Sequence, residues 1–172
     1  PTAFRYIWYH PQTGFWCGAS PEILLQTEGI SFTTMALAGT QIIKKDTVPY
    51  WNIKELNEQK IVVDAITNSL KKITSVVRIS ETYNYKAASL VHLRTDITGT
   101  LKEEKKTLSM IASVLHPTPA VCGTPQDYAK SYILDNENYN REFYTGFLGP
   151  IYQKDSCSKL FVNLRCMKID AN

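Results

Sequence analysis

Long apolar runs are missing from the 172 residues, and nothing in the sequence approaches the roughly 18 consecutive apolar positions of a membrane-spanning helix. The first residues also lack the basic-then-apolar layout of a secretion signal. The expectation is a soluble, cytoplasmic protein with no membrane partner. Charge of one sign is scarce as well. Nineteen Lys and Arg against sixteen Asp and Glu leave a net +3, scattered too evenly to build the phosphate-binding face that nucleic acid demands. Cysteine is sparse, at Cys17, Cys122, Cys157 and Cys166, with no C-x-x-C pair and no histidine at ligand spacing beside any of them. A zinc or redox site therefore has no support in the sequence, and free thiols are expected rather than disulfides. No repeat, low-complexity segment or Gly/Ser-rich linker divides the chain, so residues 1–172 read as one piece.

An apolar fraction of 44% and a charged fraction of 20% are those of an ordinary globular domain. Aromatic and β-branched residues at 4–10 and 15–19, separated by Pro11-Gln12-Thr13-Gly14, predict a hairpin. Residues 23–26 and 30–35, with Glu28-Gly29 between them, predict a second. Leu56, Val63, Ile66 and Leu70 recur at helical spacing and predict a helix over 54–72, on which Glu55 and Glu58 share a face. Strand composition returns at 90–98. Helices are expected at 103–115, stopped by His116-Pro117, and at 125–135, opened by a proline. Residues 147–152 and 160–169 predict a last hairpin around Gln153–Lys159, with Arg165 facing away from the stripe Leu160, Val162, Leu164 and Cys166. This order, lacking regular βαβ alternation, predicts an α+β fold with helices packed on a largely antiparallel sheet.

Several segments carry more than packing chemistry. Gly18-Ala19-Ser20-Pro21-Glu22 sets a carboxylate after a tight turn at a strand start; a glutamate stands where a nucleophile elbow needs glycine, so Ser20 is rejected as a nucleophile. Ala36-Leu37-Ala38-Gly39-Thr40 ends a strand in small residues that let backbone amides approach an anion. Glu55 and Glu58 offer carboxylate oxygens to one hard cation such as Mg²⁺, or else form a solvated face. His92 lies within a strand, and the loop 116–125 is stiffened by three prolines.

Taken in order, GASPEILL (18–25), MALAGT (35–40), NEQKIVVDAI (57–66), HLRTDITGTL (92–101), LHPTPAVCGTP (115–125), NREFYTGFLGP (140–150) and NLRCMKI (163–169) closely resemble the chorismate-utilising enzymes. Within them the chain looks most like the isochorismate synthases of menaquinone or siderophore biosynthesis. The resemblance implies a truncated part of the chorismate-binding fold, chorismate as substrate and Mg²⁺ as cofactor. It implies that Glu22 is the general acid that protonates the departing 4-hydroxyl, with a pKa raised by burial and neighbouring negative charge. By the same resemblance Glu58 is a metal ligand, Glu55 a supporting acid, and His92 a histidine near the reacting hydroxyl. Gly39 and Thr40 then lie beside the substrate carboxylate, Arg165 pairs with a carboxylate, and Tyr144 is a pocket aromatic. Ala38 stands where aminodeoxychorismate synthases carry lysine, and Ala120 matches the isochorismate synthase pattern rather than the threonine of the anthranilate and salicylate branches. The family's lysine base and second metal glutamate match nothing here, both ends read as cut, and the chain by itself is expected to be inactive. Exposed sheet edges and apolar faces are expected to promote self-association.

Overall fold

Turn residues shape the first four strands. In the computed structural model, which describes residues 3–43, 47–87, 89–102, 108–152 and 157–169, β1 (Phe4–His10) and β2 (Gly14–Ser20) form the expected first hairpin. β3 (Ile23–Glu28) and β4 (Ser31–Ile42) form the second, turning at Gly29, whose φ of +54° suits a residue without a side chain. Helix α1 (Ile53–Lys71) follows. It begins at Asn52, whose side chain accepts from the Glu55 amide at 3.0 Å while the Glu55 carboxylate accepts from the Asn52 amide at 3.0 Å, a reciprocal capping box.

Strands β5 (Thr74–Ile79), β6 (Tyr83–Ala87) and β7 (Leu90–Leu101) come next, then helices α2 (Leu108–Leu115), α3 (Pro119–Cys122) and α4 (Gln126–Asn136). Short strands β8 (Phe147–Leu148) and β9 (Ile151–Tyr152) precede β10 (Cys157–Val162) and β11 (Cys166–Ile169). Of the helix expected over 103–115, residues 108–115 are helical and 103–107 lie outside the described residues. Of the turn expected at 153–159, residues 153–156 lie outside them and 157–159 already belong to β10.

The single strand expected over 160–169 is corrected. It breaks at 163–165, and its two parts join different sheets. The reason is a register shift in the β10–β3 pairing between Leu160 and Phe161, after which Phe161, Val162 and Asn163 are all buried and strict alternation is lost.

Every described pairing is antiparallel, as the α+β reading requires. The larger sheet runs β5-β7-β4-β3-β10-β8, with β6 also on β7 and β9 also on β10; the smaller runs β1-β2-β11. Along β7 the odd residues from Val91 to Leu101 are buried and the even ones are half-buried. Ile97 and Leu101 from that face, with Phe32 and Ala36 of β4, meet Val62, Ile66 and Leu70 of α1 and Ile111 and Leu115 of α2 in the main core. Gln59 of α1 is buried there and donates to the Ala36 carbonyl at 3.2 Å and to Thr95 at 2.9 Å. The even residues of β7, His92 among them, fall on the face turned away from α1.

Candidate functional site

The site begins with a fault in the ladder. β4 and β7 pair Ala38 with Leu93 and Thr40 with His92, so Gly39 is an extra residue, a bulge, at φ +69°. A side chain there would also meet the Trp51 ring at 3.1 Å. The bulge thus requires glycine twice over, once for its backbone angle and once for Trp51.

One consequence is the setting of His92. Its Nδ1 lies 2.9 Å from the Thr40 hydroxyl oxygen and 3.2 Å from the Gly39 carbonyl oxygen. A carbonyl only accepts, so the Gly39 contact is a hydrogen bond in the tautomer that carries the hydrogen on Nδ1, which turns Nε2 into an acceptor.

Glu22 reaches the same place from the crossover between the two sheets. Ser20 is fully buried and donates to the Val162 carbonyl, and the Glu22 carbonyl accepts from the Val162 amide at 3.0 Å. Ser20 is therefore a strut that fixes the crossover. Its burial agrees with its rejection as a nucleophile. The break at 163–165 is tied to the same crossover, because the Arg165 carbonyl accepts from the Ala19 amide at 2.8 Å. Glu22 and Arg165 are consequently held by adjacent segments.

Together with Gly39, Thr40 and His92 they line an open pocket of about 190 Å³. Pro21, Met35, Leu37 and Leu164 supply apolar wall. In these surroundings burial pushes the Glu22 carboxyl up to about 7. Burial is the cause, without the neighbouring negative charge that the resemblance implies. Ala38 lines the pocket as well. Tyr85 of β6, opposite His92, and Ala87 also line it; apolar periodicity does not reveal them, since Tyr83–Ala87 is a mostly exposed edge strand. The alternation of Tyr83 and Tyr85 in a polar stretch is the signal that points to it.

The other expected residues lie elsewhere. Tyr144 is exposed and sits 5.9 Å beneath the Arg141 guanidinium, in a stretch where Glu142 and Thr145 take positive φ. Ala120 is exposed within α3. Neither lines this pocket. The two α1 glutamates also stand outside its lining. The Glu55 carboxylate is occupied by the capping box and lies 3.4 Å from the Gln41 amide nitrogen, while Glu58 forms an exposed ion pair with Lys54 at 3.6 Å. Among the described residues no three His, Cys, Asp or Glu side chains converge on a metal position. The described residues thus do not make a complete Mg²⁺ site; Glu58 alone of the expected pair keeps a carboxylate not built into the fold.

An antiparallel sheet, a bulge that opens the backbone, and a pocket lined by one carboxyl group and one guanidinium are what the described residues bring together. The chain belongs to the family of chorismate binding enzymes, which residues 1–172 match throughout. It is 35% identical over 141 residues to isochorismate synthase DhbC of Bacillus subtilis (strain 168), covering 77% of this chain and 35% of that protein. Its fold superposes on the menaquinone-specific isochorismate synthase MenF of Escherichia coli with a TM-score of 0.87 at 28% identity, over 99% of this chain and 41% of that one. Anthranilate synthase component I from Streptococcus pneumoniae TIGR4 superposes with a TM-score of 0.80 at 23% identity, over 95% of this chain and 38% of that one, a likeness of fold alone. The chain spans well under half the length of each of these relatives.

Among the described residues no helix is long and apolar enough to cross a membrane.

Proposed function

We propose that this chain carries the proton-donating and carboxylate-binding part of a cytoplasmic site that converts chorismate to isochorismate. In that reaction water adds at C2, the ring double bonds shift, and the 4-hydroxyl leaves as water, so one water enters and one departs. Glu22 gives the departing hydroxyl its proton. The carrying observation is that burial holds the Glu22 carboxyl near 7 in the same pocket as Arg165 and His92. A carboxyl at that pKa is substantially protonated at neutral pH, whereas an ordinary glutamate is not.

Arg165 offers a planar fork that suits a substrate carboxylate. The Gly39 bulge opens the backbone beside it, and the His92 Nε2 accepts a hydrogen bond from a ring hydroxyl. Ala38 at the pocket wall leaves no amine for a covalent ring adduct and so favours water over a lysine nucleophile. The similarity to isochorismate synthases, one of them menaquinone-specific, supports the same branch. No lysine lines the described pocket to deprotonate the water. Mg²⁺ remains an expectation of the resemblance, since the described residues do not form its cage.

Product analysis tests this reading. The protein at its full natural length, given chorismate and Mg²⁺, is expected to form isochorismate. Anthranilate or salicylate as the main product, or no product, contradicts it. The 172-residue chain by itself is expected to bind Mg²⁺ too weakly for calorimetric detection and to form no isochorismate above a no-protein control.

A further inference from the structure

We propose that Tyr85 contacts the substrate in this pocket and that Arg94 is the residue that positions it, an inference that rests on the chorismate reading above. β6 lies along β7 on the side of the sheet where the pocket opens, with Tyr85 opposite His92 and Tyr83 opposite Arg94. Behind the Tyr85 ring stands the Arg94 guanidinium, 4.7 Å from the ring centroid. Arg94 is itself fixed: its Nε and Nη2 both donate to Asp96 Oδ1, at 2.9 and 2.7 Å. The other Asp96 oxygen accepts from the Tyr83 hydroxyl at 2.8 Å, and the Asp96 amide donates to Ser80 Oγ at 2.9 Å.

A chain of oriented groups thus ends on one aromatic face. Cohesion of the core does not explain it, because the even face of β7 lies away from α1 and the network sits at a sheet edge. A partly buried ion pair in such a place contributes little to stability on its own. What the network does is hold one ring. Among the described residues the Tyr85 hydroxyl has no hydrogen-bond partner, although the ring is half-buried and lines the pocket with Glu22, His92 and Arg165. A tyrosine whose ring is clamped and whose hydroxyl is unpaired is prepared to donate to an oxygen of a bound anion. The clamp keeps that hydrogen bond from having to order a mobile ring first.

Chorismate kinetics of the protein at its full natural length decide the matter. Tyr85→Phe is expected to raise KM about tenfold, as befits loss of one hydrogen bond to a charged oxygen, with kcat within about twofold. Arg94→Met is expected to raise KM several-fold, and Arg94→Lys, which keeps a cation over the ring, to recover most of that loss. In Tyr85→Ala the further change Arg94→Met should add nothing, because the positioned group is gone. Should Arg94→Met fail to fold, Tyr85→Phe decides alone, since it removes a single oxygen. An active wild type with unchanged KM in both Tyr85 variants overturns the inference and leaves the chorismate reading standing. A wild type that neither turns over nor binds chorismate overturns both.

Discussion

Glu22 owes its acidity to where the backbone crosses from one sheet to the other. Ser20 and Val162 pin that crossover, and the pocket wall beside it is apolar, so the carboxylate loses hydration without gaining a cation. Its pKa rises from 4.5 unfolded to about 7 folded, so the folded chain binds the proton more tightly. That contribution to stability is complete below about pH 4.5 and is lost as the pH climbs through 7. Glu22→Gln, which cannot ionise, is therefore expected to stabilise the chain at pH 8 by up to about 3 kcal/mol and to change little at pH 4. Denaturant titrations at the two pH values check this; equal effects at both would mean that Glu22 is not desolvated. Arg165 makes a different demand. Arg165→Lys keeps the charge but loses the fork, and is expected to raise the chorismate KM about tenfold with the fold intact, as steady-state kinetics of the full-length protein would reveal.

Among the elements, β4 carries the most function in the least sequence. Gly39→Ala places a side chain at φ +69° and 3.1 Å from the Trp51 ring, which is held by a 2.7 Å bond from its Nε1 to Asn84. A loss of about 1–3 kcal/mol is expected in denaturant unfolding, together with weaker chorismate binding in the full-length protein; an unchanged midpoint would mean that the bulge relaxes freely. Much of this was legible beforehand. The first two hairpins, α1 and α4 announce themselves through turn residues and periodicity, and Glu22, Gly39, Thr40, His92 and Arg165, which the motif resemblance singles out, line one pocket. The rest was hidden for physical reasons. Residues 160–169 look like one alternating strand because the composition stays strand-like across the register shift, and the break depends on pairing with β3 and β2, far away in sequence. β6 has no apolar rhythm to reveal it. Glu55 and Glu58 look like a ligand pair at i and i+3, but three residues is also the spacing that joins an N-cap asparagine to a capping glutamate, and Asn52 claims Glu55.

At the scale of the molecule the two sheets differ in how they are covered. The larger sheet has α1 and α2 on one face. On the smaller one, Ile7, Tyr9, Met167 and Ile169 are all substantially exposed, and the register places Ile7, Cys17 and Met167 side by side in one row and Tyr9, Phe15 and Ile169 in another. Such a three-stranded apolar face favours association. The 172-residue chain studied alone is expected to form dimers or larger species as its concentration rises, and Ile7→Lys with Met167→Lys to reduce them; a monomer at every concentration by light scattering would count against this.

The pH dependence of kcat/KM in the full-length protein tests the role of Glu22 most directly. With Glu22 as the proton donor, kcat/KM for isochorismate formation is expected to fall on the alkaline side with an apparent pKa near the value of about 7 that burial gives this carboxyl in the free protein. Glu22→Gln should lower kcat by about 10²–10⁴, leave KM close to that of the wild type, and abolish that alkaline limb. A Glu22→Gln variant that keeps both its turnover and the limb would contradict the assignment and place the acid elsewhere.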